Sequence, residues 1–121
     1  MLNAAAASRV YLACGSTDMR KSIDGLAAIV QEQFSLSPFS SALFVFCNHR
    51  RDKLKILQWD HAGFWLYYRR LERGTFQWPA EGRSPLCLTQ RELHWLLDGL
   101  SLSQRHAHPA IGTEPISRRK V

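Results

Sequence analysis

Residues 53–79, KLKILQWDHAGFWLYYRRLERGTFQWP, decide how the rest of the chain must be read. Leu54, Ile56 and Gln58 alternate with Lys55, Leu57 and Trp59, the period of two that belongs to a strand with two distinct faces. Asp60-His61-Ala62-Gly63 has turn chemistry, Phe64–Leu71 resumes as a strand, and Glu72-Arg73-Gly74 is a second tight turn. Thr75–Trp78 reads as a short third strand stopped by Pro79. Strands joined by connections this short must be antiparallel neighbours, because a parallel pair needs a long crossover. The stretch predicts a β-meander.

Working outward, Ser41–Cys47 (SALFVFC) is short and aromatic and reads as a buried strand joined to the meander through the polar turn NHRRD. Val10–Ala13 (VYLA) is a further strand, ending at Gly15. Between them, Ile23, Leu26, Ala27, Val30 and Phe34 draw one apolar face at the helical period. Asp18 stands where an N-cap carboxylate would, and Pro38 closes the turn that follows. On the C-terminal side, Thr89 and Glu92 have the spacing of a capping box, with Leu88 and Leu93 as the accompanying staple. Leu93, Leu96, Leu97 and Leu100 then line one helical face. The expected fold class is α+β: strand, helix, antiparallel β-meander and C-terminal helix, with the helices on one face of the sheet. Residues 1–7 are expected to be a flexible N-terminus, residues 8–100 a single domain, and residues 101–121 a disordered basic tail.

Composition agrees with one domain: 121 residues, 45% of them hydrophobic, close a single modest core. No apolar run approaches the roughly 20 residues that a bilayer demands, and MLNAAAASRV lacks the pattern of a secretory signal, so the cytoplasm is the expected compartment. Cys14, Cys47 and Cys87 are too far apart for paired zinc ligands and read as buried thiols. The net charge of +6 is uneven. Residues 48–73 hold Arg50, Arg51, Lys53, Lys55, Arg69, Arg70 and Arg73 against Asp52, Asp60 and Glu72, and the last twenty-one residues are basic again. A basic block on a folded segment is an electrostatic footprint for a polyanion, or else a solvated strand edge.

Residues 15–22, GSTDMRKS, resemble a phosphate-binding loop without meeting its requirements. Such a loop needs Gly before the Lys so that backbone N–H groups can wrap phosphate oxygens, and here Arg20 stands there, with Asp18 adding a repelling carboxylate. A serine-recombinase start is excluded on similar grounds, since Cys14 and Gly15 occupy the place of the arginine that would stabilise the reacting phosphate. His61, His94, His106 and His108 are scattered over a turn, a helix flank and the tail, and the acids fall at caps and turns. The sequence offers no catalytic residues, no metal ligands and no cofactor motif. Arg20 and Lys21 at a helix N-terminus oppose its dipole by a few tenths of a kcal/mol each, a cost that a DNA phosphate or Asp24 would offset.

Taken together, TDMRKSIDGLAAIV, LFVFCNHRRDKLKILQWDHAGFWLYYRRLERGTFQWP and LTQRELHWLLDGL, in this order and spacing, resemble the accessory protein of the insertion sequence 66 family, the TnpB-type product of the second open reading frame. The resemblance spans roughly residues 8–100. Ser22-Ile23 depart from the Gly-Phe of that pattern, and Gln58 replaces an apolar or aromatic residue. What the resemblance implies is a non-catalytic protein of bacterial transposition that works beside a transposase, with the DNA of the element's termini, the transposase and the sister accessory protein as expected partners.

Two functions fit the residues. In the first, Arg20, Lys21, Arg50, Arg51, Lys53, Lys55, Arg69, Arg70 and Arg73 hold DNA phosphates on the meander, and Trp59, Trp65 and Tyr67 stack on bases of a distorted end. In the second, the same aromatic and arginine-rich surface binds protein and assembles the transposition complex without touching DNA. Pairing of the cations by Asp52, Asp60 and Glu72 would favour assembly, whereas unpaired cations beside exposed aromatics would favour DNA.

Overall fold

A computed structural model describes residues 9–79, 82 and 84–98 of the chain. The expectations for residues 1–7 and 101–121 lie outside the described residues, as does Leu100. The elements are β1 (Val10–Leu12), α1 (Ile23–Glu32), β2 (Leu43–Cys47), β3 (Lys53–Trp59), β4 (Phe64–Arg70), β5 (Leu86–Leu88) and α2 (Gln90–Leu97). The five strands form one sheet in the order β4-β3-β2-β1-β5, and the α+β class holds.

The meander expected from the sequence forms in part: β3 and β4 pair antiparallel with Ile56 opposite Tyr67, and β2 pairs antiparallel with β3, Phe44 opposite Leu57. Its third strand is not Thr75–Trp78. That segment has no strand pairing, although Phe76 and Trp78 are buried with the spacing a strand would give. It is held as a strap: the Phe76 N–H donates to the Arg51 carbonyl at 2.7 Å, and the Trp78 indole N–H donates to the Ala13 carbonyl at 3.0 Å. The fifth strand is instead β5, antiparallel to β1 at the opposite edge. β1 itself runs parallel to β2, with α1 as the crossover helix, so the N-terminal part is a βαβ unit rather than part of an antiparallel run.

The helices do not share a face, contrary to the expectation from sequence. Leu26 and Val30 of α1 pack with Phe44, Phe46 and Leu57 on one side of the sheet. Leu93 and Leu96 of α2 pack with Val10, Leu12, Leu43, Val45, Leu54, Ile56, Phe76 and Trp78 on the other. β2 sends alternate side chains into both clusters and is buried at every position. That explains its unbroken apolar run.

α1 starts at Ile23 rather than beside Asp18, with Ser22 as an N-cap that makes no side-chain capping bond. Asp18 is occupied elsewhere. Its carboxylate accepts from the Arg20 backbone N–H at 2.9 Å and from the Arg20 guanidinium at 2.8 Å, which holds its pKa down to about 2. α2 follows expectation: Thr89 and Glu92 form a reciprocal capping box.

Candidate nucleic-acid interface

The cations that the sequence gathers into one group are separated by the fold into structural and uncommitted sets. The turn between β2 and β3 is organised by Asn48, whose side-chain oxygen accepts from the N–H groups of Asp52 and Lys53 at 3.1 and 3.0 Å. Its amide donates to the Asp52 carboxylate at 2.7 Å, the main reason that this carboxyl titrates below its ordinary range. Arg51 adopts φ 66, the left-handed backbone that lets a turn this tight close. Its guanidinium points inward and donates to the Trp78 carbonyl at 2.8 Å. Arg51 thus holds the strap and is not presented to a ligand.

Lys55 is also committed. Its ammonium donates to the carbonyls of Met19 and Lys21 at 2.8 and 2.9 Å, pinning the loop before α1 onto β3, and lies 5.9 Å from the centre of the Tyr68 ring. These bonds answer the question posed by residues 15–22: the stretch is a structural entry to α1, in which Gly15 takes φ 79 and Arg20 is neutralised by Asp18 rather than by Asp24. Lys53 lies 3.7 Å from Asp52, and Arg70 lies 2.9 Å from Glu72. Both pairs reach solvent and hold their partners weakly.

Arg50, Arg69 and Arg73 remain, together with Lys21. None of these side chains makes an ion pair or hydrogen bond among the described residues. Arg50 sits in the β2–β3 turn, Arg73 in the turn after β4, and Arg69 near the end of β4, opposite Leu54 of β3. The Leu71 N–H donates to the Asp52 carbonyl at 2.8 Å, fastening the two turns side by side. One end of the meander therefore carries Arg50, Arg69 and Arg73, with only Asp52 and Glu72 as nearby acids and both already engaged.

The aromatics expected to stack are divided between the faces. Trp59 belongs to a cluster with Phe39 and Phe64 at the far end of the hairpin, with ring centres 5.1 and 5.0 Å away. Trp65 and Tyr67 lie on the α2 side of β4, stacked on each other at 6.2 Å and 14°. Asp60 fixes the first: it accepts from the Trp65 indole at 2.6 Å while also accepting from the backbone of Ala62 and Gly63. These bonds lower the Asp60 pKa, the backbone bond from Ala62 most. The Tyr67 hydroxyl donates to Gln58 at 3.2 Å, and burial raises its pKa. Gln58 is thus a buried polar group with a partner. Tyr68, 53% exposed, faces the α1 side and was not singled out by the sequence. Only its place on an edge strand, opposite Lys55, reveals that the alternation leaves it in solvent.

Elsewhere, an open pocket of about 190 Å³ lies between the 13–21 loop and α1, lined by Cys14, Thr17, Asp18, Lys21, Gln33 and Ser84, among others. Among the described residues no His, Cys, Asp and Glu side chains group as metal ligands, and no helix is long and apolar enough to cross a membrane. Cys47 is buried, as expected, and burial raises its pKa to about 11, whereas Cys87 is exposed.

The family model described as "IS66 Orf2 like protein" matches residues 8–107. Two proteins of Sinorhizobium fredii are similar in sequence. The uncharacterized protein y4hO is 38% identical over 92 residues, which is 76% of this chain and 80% of that one. The uncharacterized protein y4jC is 30% identical over 101 residues, covering 84% and 86%. No solved structure matches the chain.

Proposed function

The chain belongs to the IS66 Orf2-like family of insertion-sequence accessory proteins, and from that premise we propose that it serves transposition without catalysis, by contacting DNA through the basic end of its meander. The observation that carries the reading is the set Arg50, Arg69 and Arg73, none of which makes an ion pair with a carboxylate among the described residues, although Arg50 lies within the field of Asp52. Cations held on adjacent, mutually bonded turns present a fixed array to a phosphate backbone, and such an array binds through counterion release with little regard to base sequence. Lys53 and Arg70 add to it once phosphate competes with their exposed carboxylate partners. Arg51 anchors the same turn through its bond to the Trp78 carbonyl.

The Trp65–Tyr67 stack, beside Arg69, is the part of this surface suited to an unpaired base. Trp59 is withdrawn from that role by its contacts with Phe39 and Phe64. A second reading, assembly with the transposase or the sister accessory protein, is favoured by the Lys53–Asp52 and Arg70–Glu72 pairs and by the exposed Trp65 and Tyr68.

Fluorescence anisotropy against the element's terminal repeat and a scrambled duplex, each over a salt series, separates the two. Replacing Arg50, Arg69 and Arg73 with Ala is expected to reduce the slope of log K against log salt by about 2.7, or ~0.9 for each phosphate that is no longer neutralised. Absence of binding to either duplex at low salt, or an unchanged slope in the variant, refutes DNA binding at this end and favours assembly.

A further inference from the structure

β4 ends the sheet, so its outer edge is unpaired among the described residues. Two backbone bonds fix which groups point outward. Asp60 N–H donates to the Gly63 carbonyl and Leu71 N–H to the Asp52 carbonyl, so with the observed register residues 63, 65, 67, 69 and 71 face β3. Phe64, Leu66, Tyr68 and Arg70 consequently turn their N–H and C=O groups away from the sheet. The edge is seven residues long, carries no proline and no bulge, and has Trp65 49% and Tyr68 53% exposed. Natural edges are often blunted by proline or a bulge, and this one carries only the charges of Arg69 and Arg70 at one end of the strand.

We infer that β4 pairs antiparallel with β4 of a second copy of this chain, about a two-fold axis at Tyr67, to give one continuous sheet across the dimer. Antiparallel pairing of the outward groups allows several registers, but only the one centred on Tyr67 keeps the whole of Phe64–Arg70 paired. In that register Phe64 pairs with Arg70 and Leu66 with Tyr68 by backbone bonds, while Trp65 stands across from Arg69 and Tyr67 from its own counterpart. Each arginine of the strand therefore faces an aromatic ring of the other copy and never another arginine. An arginine over an aromatic face is a favourable cross-strand pair, and like charges directly opposite would be unfavourable. The Trp65–Tyr67 stack is already held in place by Asp60 and so meets the second copy with little left to order. The resulting interface is isologous, and it carries the two Arg50 and Arg73 turn ends at opposite ends of the joined strands.

Sedimentation velocity of the full chain without nucleic acid, from about 1 to 500 µM, tests the pairing. The wild type is expected to shift from monomer to dimer across that range. Tyr68→Pro, which removes one outward N–H and leaves the β3 ladder intact, is expected to weaken the dimer at least roughly tenfold with unchanged circular dichroism. A monomer at every concentration, whether because the edge stays open or because the chain's own terminal segment covers it, overturns the inference. So does a dimer indifferent to Tyr68→Pro. Cross-linking supplies a readout that tolerates a poorly folded proline variant. In a Cys87→Ser background, Trp65→Cys combined with Arg69→Cys is expected to form a disulfide-linked dimer under mild oxidation, because these positions form a closely spaced non-hydrogen-bonded pair across the axis. Arg69→Cys alone is expected to remain unlinked. Equal cross-linking of the single and double variants refutes the register.

Discussion

Arg50 and Arg51 are adjacent cations of one turn with opposite tasks, and replacing each in turn tests the division made above. Arg51→Ala removes the guanidinium bond to the Trp78 carbonyl, 2.8 Å long and partly buried. A hydrogen bond from a charged donor contributes about 1.5–3 kcal/mol, and because Arg51 is half-exposed water replaces part of it, so the lower end, about 1.5–2 kcal/mol, is the expected loss. At ~4–8 °C per kcal/mol for a domain of this size, the melting temperature falls by roughly 10 °C. Arg51→Gly loses the same bond but relieves the φ of 66, and is expected to be more stable than Arg51→Ala by about 0.5–1 kcal/mol. Arg50→Ala, on an exposed side chain that makes no hydrogen bond or close ion pair and only a solvent-screened attraction to Asp52, is expected to stay within about 0.5 kcal/mol of wild type. Urea unfolding followed by tryptophan fluorescence, with m compared across the series, gives all three values. Equal stability of the two alanine variants, or a glycine variant less stable than Arg51→Ala, refutes the strap-holding role of Arg51.

Trp78→Phe fills most of the same space but leaves the Ala13 carbonyl without its indole donor, and is expected to cost about 1–3 kcal/mol in the same unfolding assay; a neutral result means that water reaches that carbonyl. The Asp60, Asp52 and Asp18 carboxyls all titrate below their unfolded values in the folded chain, so the stability they confer is fully present above the unfolded carboxylate pKa and is lost as pH falls through the folded one. Melting temperatures taken downward from about pH 5 are therefore expected to fall, and Asp60→Asn to flatten that dependence. An equal slope in wild type and Asp60→Asn shows that the Asp60 turn contributes nothing to it.

Much of the architecture was legible because local signals agreed with the final packing. The two faces of β3, the continuous apolar run of β2, the Thr89–Glu92 box and the period of α1 each identified an element from neighbours in sequence. Misreading began where two structures share one pattern. Phe76 and Trp78 alternate as a strand does, but the same spacing serves a strap whose anchors are the Arg51 and Ala13 carbonyls, distant in sequence. β5 is three residues long and directly precedes a conspicuous helix start, so its pairing with β1 left no local trace. The opposite placement of α1 and α2 depends on tertiary packing alone. The candidate site divides likewise. The basic cluster was visible as composition, yet nothing in the sequence told Arg50 from Arg51, or Lys55 from Lys53, because the partners of Arg51 and Lys55 are carbonyls of remote loops.

The pairing of β5 with β1 has a consequence for the growing chain. The second strand of the sheet, counted from that edge, is the first to be synthesised, and the strand that flanks it is among the last. During translation the hairpins of β2, β3 and β4 are complete while Val10–Leu12 still has one side open, and the Trp78 indole that bonds to Ala13 follows only after the meander. Release of the last part of the domain from the ribosome is therefore what closes the N-terminal half, and a chain arrested before Leu86 exposes the β1 edge to any other strand in reach.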